Sequence, residues 1–243
     1  MKVVPDCSFQ NFLFFSPSLM KARVNKKLSL SWLYGDCMNI EQLRIGIDNF
    51  SYVISCPSEK KAAVVDPGFD ISSCLRVLSS HGLHLTYIIL THHHADHTAE
   101  MLHLKKIFSF SQIVASEEDG KKLPMKPDII VRDGDHLQLG SVQLDFLLTP
   151  GHTKGGICVL VDKKALLTGD TLFIGDCGRT DLPGGNLTEM FMTLQQKILP
   201  LPDELIIYPG HDYGEKPYDT LGNQKKTNKT LRAKTLQEFS MIP

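Results

Sequence analysis

Ten histidines in a chain of 243 residues ask for a chemical reason when three of them stand side by side. In the run Thr91-His92-His93-His94-Ala95-Asp96-His97, His92 and His94 are two apart, so an extended backbone projects both imidazoles to one side and His93 to the other. Asp96 and His97 come next, where the chain turns into a helix, and they can face a second point close to the first. Neutral imidazole and carboxylate are donors that zinc, iron and manganese accept. Neither point is fully coordinated by this run, so more His and Asp are needed elsewhere. Three segments supply them: Thr149-Pro150-Gly151-His152-Thr153, Thr168-Gly169-Asp170-Thr171 and Pro209-Gly210-His211-Asp212. In each, a glycine precedes the candidate by one residue and lets the backbone turn sharply. Asp170 is the natural bridge, because one carboxylate offers two oxygens. A solitary histidine after a strand is more often a satisfied polar residue, and that plain role is kept for His81, His84, His103 and His136. Asp66, beside Pro67, fits an orienting partner of a ligand and a simple turn equally well.

The elements that must carry these residues alternate between strand-like and helix-like text. Val53-Ile54 and Ala62 to Val65 are β-rich, and Asp66-Pro67-Gly68 is a turn. Ile71, Cys74, Leu75 and Leu78 recur at helical spacing behind Asp70 as N-cap. Tyr87 to Leu90 reads as a buried strand that delivers the histidine run; a helix near Thr98 to Phe108 and a strand from Gln112 to Ala115 come after it. Asp128 to Val131, His136 to Leu139, Val142 to Leu148, Ile157 to Val161 and Ala165 to Leu167 read as strands. The turns between them, Asp133-Gly134-Asp135, Gly140-Ser141, Pro150-Gly151 and Asp162-Lys163-Lys164, read mostly as hairpins. Leu187, Met190, Phe191, Leu194 and Ile198 mark a helix, with Asn186 and Glu189 at capping-box spacing. Leu205 to Tyr208 is the last strand. Two strand-rich halves, each ending in helices, suit two sheets packed face to face with helices outside. The tail from Gly214 to Glu238, with six basic and three acidic residues, reads as a solvated helix or an attraction for an anionic substrate arm.

Composition fits one globular domain: 42% of residues are hydrophobic and 22% charged. With 26 Lys and Arg against 27 Asp and Glu, the net charge of −1 disfavours nucleic acid as main partner. No apolar run approaches the roughly 18 residues that span a membrane. The six cysteines are scattered without a CxxC pair, which argues against a disulfide framework and for a reducing, cytoplasmic setting. Residues 1–37 differ from the rest of the chain, with five basic and two acidic residues. They read as a leader or loose extension ahead of a single domain over 38–243, and they imply an organellar location if they are a transit peptide. A homodimer is left open.

The run His92 to His97 resembles the HxHxDH signature of the metallo-β-lactamase superfamily, and His152, Asp170 and His211 match its later motifs in order. The resemblance covers roughly Ile40 to Lys229. It implies an α+β fold, the αββα four-layer sandwich, with metals at one edge between the sheets. It also implies a first site of His92, His94 and His152, and a second of Asp96, His97 and His211, bridged by Asp170. A true β-lactamase lacks the bridging aspartate and uses a cysteine, and the nuclease branches carry large insertions absent here. The segment Gly178-Arg179-Thr180-Asp181 resembles the branch of glyoxalase II-like hydrolases and persulfide dioxygenases. The FFEG-like segment and longer helical C-terminal domain of eukaryotic-type glyoxalase II are missing.

The resemblance therefore implies a thioesterase of hydroxyacylglutathione hydrolase type. Two divalent ions, zinc first and iron or manganese as alternatives, would hold a bridging hydroxide that attacks the carbonyl, with Asp96 and Asp170 as catalytic ligands. The alternative is a dioxygenase of glutathione persulfide holding one Fe(II) on His92, His152 and Asp170. A small thioester or glutathione-like thiol is the expected substrate in either case. Arg179 would clamp its carboxylate or merely pair with Asp181, and Tyr213 would reach into the pocket or stack on the core. Cys177 is assigned no role.

Overall fold

The computed structural model describes residues 38–242; the leader expected over 1–37 lies outside them. The first half of the chain builds one six-stranded sheet: β1 (Asn39–Ile45), β2 (Asn49–Cys56), β3 (Lys61–Val65), β4 (His84–Ile89), β5 (Gln112–Ser116) and β6 (Ile129–Val131), bonded in chain order. Pairing is antiparallel to β3 and parallel from there on. The second half builds another of six: β7 (His136–Leu139), β8 (Val142–Leu148), β9 (Ile157–Val161), β10 (Ala165–Gly169), β11 (Ile206–Pro209) and β12 (Asp219–Thr220), of which only the β10 to β11 pair is parallel. Parallel neighbours need crossovers. These are α1 (Ser72–Ser80), α2 (Ala95–Thr98) with α3 (Met101–Ile107), α4 (Glu117–Gly120), and α5 (Leu187–Thr193), which runs on as a π-helical turn to Ile198. Three short helices close the chain: α6 (Leu221–Thr227), α7 (Lys229–Arg232) and α8 (Leu236–Ser240).

The strands read as continuous apolar runs because both sheet faces are covered. Between the sheets, Phe50, Ile54, Val65 and Ile89 meet Leu144, Phe146, Val159 and Tyr208. On the far side of the first sheet, Val53, Val64 and Ile88 pack on Cys74, Leu78 and Leu104 of the helices. On the far side of the second, Leu166 and Ile207 pack on Met190, Leu194 and Leu231. This is the four-layer α+β sandwich that the resemblance implied.

Three readings of the sequence change. Asp133-Gly134-Asp135 is not a hairpin: it passes the chain from β6 in one sheet to β7 in the other. Turn residues announce a reversal but not which sheet receives the chain. The helix read over Thr98 to Phe108 is broken at Ala99-Glu100, because the Glu100 amide donates to the carbonyls of Pro67 and Gly68, each at 3.1 Å. Asp70 stands one residue before the N-cap and accepts the Ser72 amide at 2.8 Å. Among the described residues, Cys56, Cys74, Cys158 and Cys177 are free thiols, and no helix is long and apolar enough to cross a membrane.

Candidate metal centre

The site forms where strands of both sheets end together. Past the end of β4, Asp66 accepts the Thr91 amide at 2.7 Å and the Thr91 hydroxyl at 2.6 Å, which fixes the chain as it enters the histidine run. Gly169, at φ +47°, turns β10 toward the cleft; a Cβ there would lie 2.5 Å from Thr91 Oγ1. Gly210 has no positive φ to justify it. Its role is space, since a Cβ would press on Asp170 Oδ1 and lie 3.0 Å from His97 Cε1.

Two clusters of donors result, each with ligand atoms within 4.8 Å of one another: His92, His94 and His152, and Asp96, His97 and His211. A third combination, Asp66 with His92 and His97, meets the same distance, but Asp66 already accepts three hydrogen bonds. Asp170 stands between the clusters. Its Oδ2 is 3.4 Å from His152 Nε2 and 3.4 Å from His211 Nε2, and its Oδ1 is 3.4 Å from His97 Nε2. All the residues expected as ligands therefore converge on one edge. His93 points away and meets Asp119, while His84, His103 and His136 lie outside the clusters.

The proton positions are set by the surroundings of each ring. A carboxylate or carbonyl can only accept, so His97 donates from Nδ1 to Asp66 at 3.0 Å and His152 donates from Nδ1 to the Arg179 carbonyl at 2.7 Å. In the neutral form of either ring, Nε2 is then the nitrogen whose lone pair is turned inward. Those lone pairs face further imidazole nitrogens, His97 Nε2 to His211 Nε2 at 3.2 Å and His152 Nε2 to His94 Nδ1 at 3.0 Å. Such facing nitrogens require a proton or a cation between them. His92 Nε2 and Asp170 Oδ1 are buried with no hydrogen-bond partner, which in a folded protein calls for an explanation. Three imidazoles in one cluster, two imidazoles and a carboxylate in the other, and a carboxylate between them fit two divalent ions of the zinc, iron or manganese type.

Electrostatics separates the two clusters. Burial, followed by the neighbouring histidines, pushes His92 well below its ordinary value, and burial lowers His94 to about 4, so both of these rings stay neutral. Around His97, burial is outweighed by Asp170, Asp66 and Asp96, which raise its pKa well above the ordinary value. His211 is raised to about 9 in the same way, against burial, by Asp170 and Asp96. Asp96 and Asp170 are themselves held well below the carboxylate range despite burial. In the metal-free site, protons on His97 and His211 therefore match the charges of Asp96 and Asp170, a positive charge that a divalent cation would supply in their place.

The cleft above the site has a volume of about 580 Å³. Arg179 lines it, but its fork is engaged by Asp181, at 2.7 and 2.8 Å. Tyr213 is 57% exposed and lies flat on the His211 ring, centroids 4.7 Å apart and 10° from parallel; Phe173 meets both rings edge-on. Three supporting residues escaped the sequence reading. Asn49 Nδ2 donates to Asp96 Oδ2 at 2.9 Å, Asp48 faces His211 Nδ1 at 3.4 Å, and Asp119 is buried beside His93. Only Asp119 had a local signal, the N-cap spacing from Ser116, whose hydroxyl accepts the Asp119 amide.

Comparison with known proteins agrees with the geometry. The profile described as metallo-beta-lactamase superfamily matches residues 45–211. Hydroxyacylglutathione hydrolase GloC of Haemophilus influenzae is 31% identical over 216 residues, which cover 82% of this chain and 100% of that protein. The mitochondrial persulfide dioxygenase ETHE1 of Homo sapiens is 32% identical over 195 residues, 79% of this chain and 75% of that one. The crystal structure of ETHE1 from Myxococcus xanthus superposes with a TM-score of 0.77 at 28% identity, covering 85% of this chain and 92% of that chain.

Proposed function

The chain belongs to the metallo-beta-lactamase superfamily, and from that premise we propose that it is a thioester hydrolase of hydroxyacylglutathione hydrolase type, working with two zinc ions. The observation that carries this reading is the completeness of the second cluster. Asp96, His97 and His211 are each held by a partner of their own, Asn49, Asp66 and Asp48. A site that used only the first cluster would have no need of that apparatus. Ions bound there would lower the pKa of a bound water so that it is available as hydroxide near neutral pH, and would supply positive charge where the thioester carbonyl becomes an oxyanion.

The chain's own residues do the rest. His92, His94 and His152 would hold the first ion and Asp96, His97 and His211 the second, with Asp170 between the two sets available to either. Asp96, fixed by Asn49, orients the nucleophile as well. Tyr213 and Phe173 wall one side of the cleft and keep water off the His211 ring. The cleft volume suits a small thiol conjugate. Arg179 takes a substrate carboxylate by exchange with Asp181, whose pairing is exposed and so readily given up. The thiolate leaves unaided or takes a proton from solvent.

One observation favours a second reading. His92, His152 and Asp170 by themselves form the two-histidine, one-carboxylate set that suits a single Fe(II), and the similarity to a persulfide dioxygenase points the same way. Two parallel assays decide. Zinc-loaded protein is given S-lactoylglutathione and thiol release is monitored; iron-loaded protein is given glutathione persulfide and oxygen uptake is monitored. Thiol release that disappears in His152→Ala, with no oxygen uptake, is expected. Oxygen consumption abolished by the same substitution, without thiol release, overturns the hydrolase.

A further inference from the structure

We propose that Asp119 is a positioning residue for the first cluster: its buried carboxylate clamps the loop carrying His92 and His94 to the loop carrying His152. The inference rests on the reading of those three histidines as metal ligands. Asp119 is 2% exposed. Its Oδ2 accepts the His93 amide at 3.1 Å and the Thr153 hydroxyl at 2.7 Å, and its Oδ1 accepts the Gly155 amide at 3.0 Å. His93 lies between two ligands and Thr153 directly after the third, so a single oxygen atom is bonded to both loops. The separation of the loops is then set by two hydrogen-bond lengths.

The neighbours are fitted to this carboxylate. The His93 ring lies beside the clamp, with Nδ1 3.1 Å from the same oxygen but not hydrogen-bonded to it and Nε2 facing Lys122 Nζ at 3.4 Å, so the middle histidine of the run joins the clamp through its backbone amide. Gly155 leaves the space that the acid fills: a Cβ there would lie 2.6 Å from the Asp119 amide nitrogen and 2.8 Å from Oδ1. Burying a carboxylate is costly unless donors converge on it. Here they converge from both metal-bearing loops. An amide in its place keeps one acceptor oxygen; with that oxygen on His93 and Thr153, the NH₂ group faces the Gly155 amide donor to donor, so Asp119→Asn keeps the shape and weakens the hold on the loop carrying His152.

The test is zinc binding, measured by competition with a chromophoric chelator and without reference to turnover, alongside the melting temperature of the metal-free protein. Wild type, Asp119→Asn, Thr153→Val, Thr153→Ser and Asp128→Asn are compared. Asp128 accepts the Ile113 amide away from the site, so its substitution is the purely structural control. The wild type is expected to take two ions. Asp119→Asn should weaken one step by about 10–100-fold, the usual effect of losing a partner that orients a ligand. Repeating it in a His211→Ala background, where the first cluster alone remains whole, should show the same weakening. Thr153→Val should weaken binding in the same direction and Thr153→Ser restore it, which keeps the test decisive if Asp119→Asn does not fold. Asp128→Asn should lower the melting temperature and leave zinc affinity unchanged. A loss of melting temperature in Asp119→Asn with unchanged affinity at both steps overturns the clamp and leaves the metal reading intact. Wild-type protein that takes up no zinc overturns both.

Discussion

Replacing Asp66 by asparagine should separate the second cluster from the first. The Asp66 carboxylate accepts three donors, the Thr91 amide at 2.7 Å, the Thr91 hydroxyl at 2.6 Å and His97 Nδ1 at 3.0 Å. The amide keeps one acceptor oxygen, and the bond to the Thr91 backbone claims it. The NH₂ group then faces the hydroxyl, which can rotate and accept, and His97, which can accept only by moving its own proton to Nε2. Hydrogen bonds to a charged group contribute about 1.5–3 kcal/mol each. With two of them weakened or reversed, the metal-free protein should lose on the order of 3 kcal/mol, read as a lower urea midpoint at unchanged slope. A proton on Nε2 also occupies the lone pair that faces His211, so zinc uptake should fall from two ions toward one, with the His92, His94 and His152 step preserved. Two zinc ions bound at unchanged affinity, with a stability loss below about 1 kcal/mol, would refute both the tautomer argument and the assignment of His97.

Other perturbations test other parts of the site. His211→Ala should cripple a dinuclear hydrolase while leaving the fold in place, and should be much milder for a mononuclear dioxygenase; turnover and melting temperature measured on one preparation distinguish the two. Gly210→Ala introduces a Cβ against Asp170 Oδ1 and His97. At about 1–3 kcal/mol for overpacking, it should stay folded yet show weakened metal binding by chelator competition, and unchanged binding would mean that the site tolerates a displaced Asp170. Asp128 is held below its ordinary pKa by the Ile113 amide first, with Lys105 adding to it. A depressed carboxyl contributes stability that is full above its unfolded value and is lost as pH falls through the folded one. In acid denaturation of metal-free protein, the gap between wild type and Asp128→Asn should therefore be present near neutrality and close below about pH 4; a gap that widens in acid contradicts this.

The chemistry legible in the sequence was the part that concentrates in short runs. His92 to His97 and the three glycine-led segments announce themselves because each brings a ligand type together with a backbone device within a few residues. The strands bearing them were legible through apolar runs buried on both faces, such as Tyr87 to Leu90. Of the supports only Asp66 was singled out, as an orienting partner or a turn, and none of the pairings was legible, because a partner's identity depends on contacts remote along the chain. Asp66 and Thr91 are 25 residues apart, Asn49 and Asp96 are 47 apart, and Asp48 and His211 are 163 apart. The tail misled for a different reason. Its six basic residues suggested a solvated helix, but it folds as three short helices whose Gln224 and Asn228 are buried. Asn228 donates to the carbonyls of Phe173 and Asp176, and Gln224 accepts the Gly175 amide, so the tail holds the loop that walls the cleft. A polar residue facing inward to satisfy a loop backbone has the same letter as one facing water.

The proposed metal centre lies on a seam between the two sheets, so the distances among its candidate ligands are determined by the whole sandwich. His92 and His94 belong to the end of the first sheet; His152, Asp170 and His211 belong to the second. Face-to-face packing of side chains alone leaves two sheets free to slide by fractions of an ångström, since dispersion is not directional. At this edge the backbones themselves are joined. The Ile157 amide donates to the Thr91 carbonyl at 2.9 Å, the Phe50 amide to Gly210 at 2.8 Å, and the Asp212 amide to Asp48 at 2.7 Å. The Tyr52 hydroxyl of the first sheet donates to the Pro209 carbonyl of the second. Every one of these bonds ends within a few residues of a ligand. Hydrogen bonds are directional and short, so they convert a soft packing interface into a fixed spacing where coordination demands it. Asp66 belongs to the first sheet's edge and reaches His97, and through it the second cluster. Asp119, in α4 directly after β5 of the same sheet, reaches Thr153 and Gly155 beyond the end of β8 in the other, and so ties the first cluster across the seam. Metal affinity should accordingly respond to substitutions at the seam more strongly than to equally destabilising ones at Leu78 or Leu194, which pack the outer helices and leave the seam untouched.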